Sequence, residues 1–155
     1  MSLTPIETRV TEIIAAHAAM EGPLLPVLHA VQAEFGRVPQ EALPVLAREL
    51  NISRAEVHGV VSFYHDFREM PAGRHVLKLC RAEACQAMGG TSLAQSAMTL
   101  LGVDWHGTTA NGAVTLEPVY CLGLCACAPA AMLDGRVIGR VDASRLAEIA
   151  GECGV

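Results

Sequence analysis

Apolar side chains recur every three or four residues through the first half of the chain, which is the spacing of one helix face. Capping boxes open two of these segments, at Thr4-Pro5-Ile6-Glu7 and at Ser53-Arg54-Ala55-Glu56. Gly22-Pro23 and Gly36 mark the ends of the first and second segments. The pattern predicts an N-terminal region of four short helices over residues 1–72. The residues at helical spacing are Ile6, Val10, Ile13, Ile14 and His17; Leu25, Leu28, Val31 and Phe35; Leu43, Leu46 and Leu50; and Val57, Val60, Val61 and Tyr64.

The pattern changes after Met70-Pro71-Ala72-Gly73, which is a predicted linker. His75–Cys80 is a predicted strand and 91–101 a predicted helix. Further strands are predicted over 113–120, 131–133 and 136–141, with hairpin signals at Asn111-Gly112 and Asp134-Gly135, and a last helix is capped by Asp142. This order indicates a small α/β domain over residues 73–155. The whole chain is therefore predicted to be α+β, with a four-helix N-terminal region followed by that domain.

Composition and charge narrow the classes of protein to which the chain can belong. With 52% hydrophobic and 17% charged residues, the chain is too apolar to be disordered. Its net charge of −5 and its lack of a basic run argue against a nucleic acid or an anionic membrane as partner. The start lacks a signal-peptide pattern, and no apolar run approaches the ~20 residues that span a bilayer. We expect a soluble, cytoplasmic protein without direct membrane insertion.

All six cysteines lie in the second half of the chain. In a reducing cytoplasm, such residues indicate metal ligands or redox groups before disulfides. Four of them form two clusters, Cys80-x4-Cys85 and Cys121-x3-Cys125, separated by 35 residues. Each cluster begins where a predicted strand runs into a glycine-containing loop. Four thiolates on two such loops can hold one metal centre, and sulfur ligands favour an iron–sulfur cluster or zinc.

The spacing of these cysteines favours iron–sulfur without excluding zinc. Structural zinc sites place paired cysteines roughly two to four residues apart, so both clusters remain compatible with zinc. Neither cluster is the tight C-x2-C knuckle, however, and plant-type [2Fe–2S] ferredoxins open with C-x4-C. A structural four-cysteine zinc assembly module is the alternative from another class. A dithiol redox enzyme is a third possibility that lacks the C-x-x-C motif.

Other residues near the two clusters leave their roles open. Cys127 could replace Cys125 as a ligand in a Cys121-x5-Cys127 pair, but the favoured interpretation is a nearby thiol that does not bind the metal. Cys153 is predicted to be an incidental free thiol beyond the last helix. Arg81 is either a solvated loop charge, which is the favoured interpretation, or a cation that stabilises the reduced cluster and raises its potential. The histidines lack the Cys-x-His pairing of a Rieske centre and are predicted to be structural or interface residues.

A series of motifs agrees in order and spacing with one known family. The motifs are Gly36-Arg-Val-Pro39, Val57-His-Gly-Val-Val-Ser-Phe-Tyr64, Pro71-Ala-Gly-Arg-His75, Cys80-x4-Cys85, Cys121-Leu-Gly-x-Cys125 and Ala128-Pro129. Together they resemble the thioredoxin-like [2Fe–2S] subunit that partners the NADH-oxidising flavoprotein of respiratory complex I. The resemblance covers roughly residues 20–150. Within that family, the run Cys80-Arg-Ala-Glu-Ala-Cys85-Gln-Ala-Met-Gly89 is most similar to the gamma subunit of soluble NAD-dependent formate dehydrogenases.

The resemblance implies more than the residue pattern does. It implies a thioredoxin-like C-terminal domain in which Cys80, Cys85, Cys121 and Cys125 bind one [2Fe–2S] cluster, with no catalytic residue on this chain. It also implies a flavoprotein partner that carries FMN and the NAD(H) site and, in the formate enzymes, a molybdenum-containing catalytic subunit. The expected function is electron transfer in an NAD-dependent formate dehydrogenase. The equivalent subunit of complex I or of an NAD-linked hydrogenase is the alternative.

Overall fold

Both capping boxes are formed in the computed structural model, which describes residues 4–155. The Ser53 hydroxyl accepts the Glu56 N–H at 3.1 Å, and the Glu56 carboxylate accepts the Ser53 N–H at 2.7 Å. This backbone N–H, more than the hydroxyl, holds the pKa of Glu56 below its usual value. The Thr4 box closes in the same way. The helices of this region are α1 (Pro5–Ala16), α2 (Leu24–Phe35), α3 (Ala42–Glu49) and α4 (Arg54–Phe63).

The four helices share one apolar core within a compact unit that ends at Pro71. Side chains from every helix are buried. Most positions predicted from helical spacing belong to this core, but Tyr64, the C-cap of α4, is exposed. The Gln32 side chain also ties the segment after α4 to α2, since its amide donates to the Asp66 carbonyl and accepts the Arg68 N–H. The fully buried side chains include Val10, Val27, Leu28, Val31, Val45, Leu46 and Val57.

The first helix ends earlier than Gly22-Pro23, where the sequence places its stop. Its last residue is Ala16, and the His17 N–H already bonds the Ile14 carbonyl instead of continuing the α-helical ladder. The His17 ring nitrogen Nδ1 lies 2.8 Å from the Ile13 carbonyl oxygen and satisfies that group. A side chain thus takes the acceptor that another helical turn would use, and the helix stops there.

We expect Ser53→Ala to lower the free energy of unfolding by about 1 kcal/mol, because it removes the side-chain half of the capping box. The measurement is urea unfolding followed by far-ultraviolet circular dichroism. Ser62→Ala is the matched control, since that hydroxyl is exposed and only donates back to the Gly59 carbonyl within α4. Equal losses in the two variants would show that the capping box does not stabilise this helix.

The second unit, Ala72–Val155, is a four-stranded mixed sheet with three helices. The strands are β1 (His75–Cys80), β2 (Val114–Val119), β3 (Ala131–Leu133) and β4 (Arg136–Ile138), and the helices are α5 (Glu83–Ala87), α6 (Gly90–Leu101) and α7 (Ala143–Glu152). The strands lie in the order β2-β1-β3-β4; β1 and β2 are parallel, and the other two pairs are antiparallel. One sheet face and the helices α6 and α7 enclose the core. The prediction of an α+β chain is confirmed.

Strand register determines which loops meet. Cys80 at the end of β1 pairs with Val119 at the end of β2. Because the two strands are parallel, the segments that follow them leave the sheet at the same edge. One segment leads into α5, and the other leads into a 3₁₀ turn over Cys125–Cys127. Both predicted cysteine clusters therefore lie at one edge of the sheet.

Several predicted details differ from the structure. The predicted loop after Cys80 contains the single-turn helix α5, which is too short to leave a periodic signal. Asn111-Gly112 lies in a turn, but only one isolated bridge, Thr108 to Thr115, pairs across it. The strand predicted over 136–141 ends at Ile138. Within residues 4–155, no helix has the length and apolar character needed to cross a membrane.

Candidate metal centre

The four predicted ligand cysteines are brought together at this sheet edge. Cys80 ends β1 and Cys85 lies in α5, and both are buried. Cys121 and Cys125 follow β2 and are exposed. The Cys85 thiol hydrogen-bonds the Cys80 sulfur, and the Cys121 and Cys125 sulfurs lie 4.0 Å apart. The pairs are adjacent, since the charge of Cys80 acts on both Cys85 and Cys125.

Backbone N–H groups point at these sulfurs. The Cys80 sulfur accepts hydrogen bonds from the N–H groups of Ala82, Cys121 and Leu122. The Cys121 sulfur accepts the Gly123 N–H at 3.4 Å. Cys121 has a φ of 112°, a value that L-residues rarely adopt, so the turn that aims these donors holds a predicted ligand in a strained conformation. Such donors stabilise thiolate charge.

The pKa values of the thiols reflect these contacts. Burial raises the pKa of Cys80, but the N–H donors and the Cys85 thiol outweigh it, so the pKa is below its usual value. Burial, followed by the bond to Cys80, raises the pKa of Cys85. The bond to Cys121 and then the charge of that sulfur raise the pKa of Cys125. The charge on Cys80 therefore opposes ionisation of Cys85 and Cys125, and a cationic centre between the sulfurs would relieve this opposition.

The surroundings of the sulfurs are apolar. Cys80, Cys85 and Ala130 form a buried cluster of their own, and partly buried aliphatic side chains pack around it. This environment excludes water from the inner pair of sulfurs, while Cys121 and Cys125 face solvent. The centre is thus buried on one side and open on the other. The surrounding side chains are Ala82, Val119, Leu122, Leu124 and Ala128.

The donor set fits a [2Fe–2S] cluster, which needs four thiolates. The thiols form two pairs, Cys80 with Cys85 and Cys121 with Cys125, and neighbouring N–H groups are available to the sulfurs. In the described part of the chain, no three His, Cys, Asp or Glu side chains are placed to hold a single metal ion. The number, chemistry and pairing of the four thiols match what the cluster requires.

The remaining two cysteines have other surroundings. Cys127 packs against Gly139: a Cβ atom added to that glycine would lie 2.7 Å from the Cβ atom of Cys127. Cys153 is the C-cap of α7 and is buried in the sheet–helix core, where burial raises its pKa. The Cys153 thiol is free and follows the last residue of α7, as predicted, but the structure adds that it is a core residue. Sequence alone did not show that the chain turns back onto the core at this point.

Arg81 is not the solvated loop charge that the sequence favoured. Its guanidinium carbon lies 5.3 Å from the centroid of the Trp105 ring, a cation–π distance. The Nε atom is buried and has no hydrogen-bond partner within residues 4–155. The sequence does not indicate Trp105, because 23 residues lie between it and Arg81 and no periodic pattern links them. Only the folded sheet edge brings the two side chains together.

Gly90 provides a test of how tightly α5 is held. A Cβ atom at Gly90 would lie 2.6 Å from the Cys85 carbonyl oxygen, so either α6 or the turn that carries Cys85 would have to move. We expect Gly90→Ala to lower the free energy of unfolding by about 1–3 kcal/mol. Gly151→Ala in α7 is the control, since its Cβ would meet nothing within 4 Å and the better helix former should stabilise. A neutral Gly90→Ala variant in urea unfolding would contradict the close packing.

Comparisons with known proteins give relatives along most of the chain. It is 31% identical over 148 residues to the HndA subunit of the NADP-reducing hydrogenase of Solidesulfovibrio fructosivorans, covering 96% of this chain and 86% of that protein. It is 36% identical over 125 residues to a subunit of the NADH-quinone oxidoreductase of Pseudomonas aeruginosa, covering 81% of this chain and 75% of that protein.

A solved structure and a family model add to these relatives. An NAD⁺-reducing [NiFe]-hydrogenase in the H₂-reduced state superposes with a TM-score of 0.71 at 24% identity, over 84% of this chain and 22% of that chain, and so supports the fold. The model described as thioredoxin-like [2Fe-2S] ferredoxin matches residues 10–154. The thioredoxin-like fold and the resemblance of the motifs to the [2Fe–2S] subunit family of complex I are confirmed. The chain therefore belongs to the thioredoxin-like [2Fe–2S] ferredoxin family.

Proposed function

We propose that Cys80, Cys85, Cys121 and Cys125 are the ligands through which this electron-transfer subunit holds its one [2Fe–2S] cluster. The observation that carries the proposal is the gathering of these four thiols, as two adjacent pairs, at the edge where parallel strands end. When bound, the cluster supplies one-electron oxidation and reduction. Free cysteines in the described chain fit a reducing compartment, and we place the protein in the cytoplasm.

The chain's own residues have three tasks in this function. The four thiolates hold the cluster, and the N–H groups of Ala82, Leu122 and Gly123 offset the negative charge on the sulfurs. The apolar side chains around Cys80 and Cys85 exclude water from the inner side. The exposed sulfurs of the other pair give electrons a short route to a partner protein. Exposed Tyr120 and Met88, next to the two ligand segments, offer apolar contact area around that route.

The proposed partner is a flavoprotein subunit with FMN and an NAD(H) site. The relatives named above are subunits of an NADP-reducing hydrogenase and of an NADH-quinone oxidoreductase. They favour an NAD-linked hydrogenase or a complex I-type enzyme over formate dehydrogenase. The formate assignment, with its molybdenum-containing subunit, rests on the residues Cys80–Gly89 and stays a prediction.

The colour and metal content of the full-length protein test the ligand proposal and the zinc alternative together. We expect a brown protein with about two iron ions per chain and visible absorption that bleaches on addition of dithionite. A colourless protein with one zinc ion would overturn the proposal in favour of a structural zinc module. Reduction of insulin disulfides by iron-free protein, lost on Cys125→Ser, would instead support the dithiol enzyme.

Isolation of the native complex tests the partner. The chain should co-purify with a yellow flavoprotein that oxidises or reduces NAD(H). Hydrogen, formate and quinone are then offered in turn as the second substrate. Activity with hydrogen or quinone supports the assignment that the relatives favour, whereas activity with formate, together with bound molybdenum, would establish the formate dehydrogenase. Purification without a flavin-containing partner would contradict the proposal.

A further inference from the structure

Arg81, a permanent cation, directly follows the proposed ligand Cys80 in the chain. Its backbone is fixed on both sides: the N–H donates to the Val119 carbonyl at 2.7 Å, and the carbonyl accepts the side-chain amide of Gln86 at 3.4 Å. Val119 is the last residue of β2, and Gln86 follows Cys85 in α5. The backbone of Arg81 is therefore anchored between the two segments that present the cysteines.

The side chain of Arg81 is held as well as its backbone. Its guanidinium carbon lies 5.3 Å from the centroid of the Trp105 ring, and both residues are half-buried. A guanidinium over an indole face is attracted by the ring's quadrupole, and Arg suits this stacking because its charged group is planar. Trp105 in turn packs against the sheet–helix core. The indole thus gives the charge a defined position and removes part of its hydration.

The charge is incompletely compensated within the chain. The Nε–H of Arg81 is buried, and no acceptor for it lies within residues 4–155. A buried donor without an acceptor is destabilising, so a nearby negative group would be favourable. Glu83, two residues along the chain, is exposed, and its charge is screened by water. A cluster on Cys80 and Cys85 would bring strong negative charge to the same edge.

We propose that Arg81 raises the reduction potential of the cluster and that Trp105 is the positioning residue that holds its guanidinium in place. The inference rests on the proposed function. Reduction transfers one electron from an external reductant to the cluster and adds one negative charge, while no bond or proton changes at Arg81. A fixed cation in a poorly hydrated position stabilises the more negative state.

The test is a redox titration of the full-length, cluster-loaded protein with dithionite and mediators, followed by visible absorption and electron paramagnetic resonance. At a fixed potential, Arg81→Gln should lower the ratio of reduced to oxidised cluster about tenfold, which is about 59 mV for one electron. Arg81→Lys, which keeps the charge, should lower it less than about threefold. Arg74→Gln is the control, because it removes one charge at the far end of β1, where Arg74 bonds the Asn111 carbonyl at 3.2 Å. It should change the ratio less than about twofold.

Trp105→Leu tests the positioning role without changing the charge and keeps the proposal testable if Arg81→Gln loses its cluster. It should lower the ratio of reduced to oxidised cluster about threefold, because the freed guanidinium regains water. The inference would be overturned if the ratio of reduced to oxidised cluster were the same in Arg81→Gln as in Arg74→Gln. It would also be overturned if Trp105→Leu left that ratio unchanged. Iron content and visible spectra are measured first. An unaltered protein without iron contradicts the proposed function, whereas loaded variants with unmoved potentials contradict only the roles of Arg81 and Trp105.

Discussion

Cys125→Ala should lose the bound iron and the visible absorption, whereas Cys127→Ala should keep both. The Cys125 sulfur lies 4.0 Å from the Cys121 sulfur, and the charge of Cys80 acts on it. Cys125 is therefore one of the four thiols gathered at the sheet edge. Cys127, two residues later, packs against Gly139. Because a [2Fe–2S] cluster needs four thiolates, removal of one leaves an iron atom without its ligand. The measurement is iron per chain together with the visible spectrum.

The remaining cysteines complete this series. Alanine at Cys80, Cys85 or Cys121 should give the same loss as at Cys125. Cys153→Ala controls for general damage, since it removes a buried thiol from the core on α7 and should keep the iron. If Cys125→Ala kept its iron and Cys127→Ala lost it, the fourth ligand would be Cys127.

Removing one partner of the ion pair between Lys78 and Glu117 should destabilise the protein by about 3–5 kcal/mol. The Lys78 Nζ atom lies 3.5 Å from Glu117 Oε2, and the side chains are only 16% and 6% exposed. The residues also face each other in the register of β1 and β2. Lys78→Met would leave a buried carboxylate without this cation, and Glu117→Leu would leave the cation without this carboxylate. Urea unfolding of each variant gives the loss.

The double variant Lys78→Met/Glu117→Leu distinguishes charge from packing. It removes both charges and should recover most of the stability lost in the single variants. Arg136→Gln is the control for an exposed pair: its guanidinium lies 2.9 Å from Glu152, both side chains are about half exposed, and its loss should cost at most about 1 kcal/mol. Equal losses in Arg136→Gln and Lys78→Met would contradict the importance of burial.

The sequence predicted the parts of this fold that local patterns determine. Thr4 and Ser53 mark helix starts because a capping box is complete within four residues, and Asp134-Gly135 marks a hairpin because both residues adopt positive φ angles. The helix α5 could not be predicted, because a single turn is too short to show a periodic pattern. The end of α1 could not be predicted either, because it depends on a hydrogen bond of the His17 ring.

The candidate site also has features that the sequence could predict and features that it could not. The four cysteines could be selected from their spacing and from the family resemblance, because both are properties of the sequence. The stacking of Arg81 on Trp105 and the pairing of Lys78 with Glu117 could not, because residues far apart in the chain meet only through the sheet. The N–H donors around Cys80 likewise depend on the conformation of the turn after β2.

The parallel pairing of β1 and β2 has a consequence for the order of assembly. The residues that pair, such as Cys80 and Val119, are far apart in the chain, and contacts of such long sequence separation form slowly because a large loop must close first. The pair Cys80 and Cys85 therefore meets the pair Cys121 and Cys125 only after that loop has closed. If the four thiols hold the cluster as proposed, we expect its insertion to follow that closure, and the bound cluster to act as a cross-link that keeps the loop closed against unfolding.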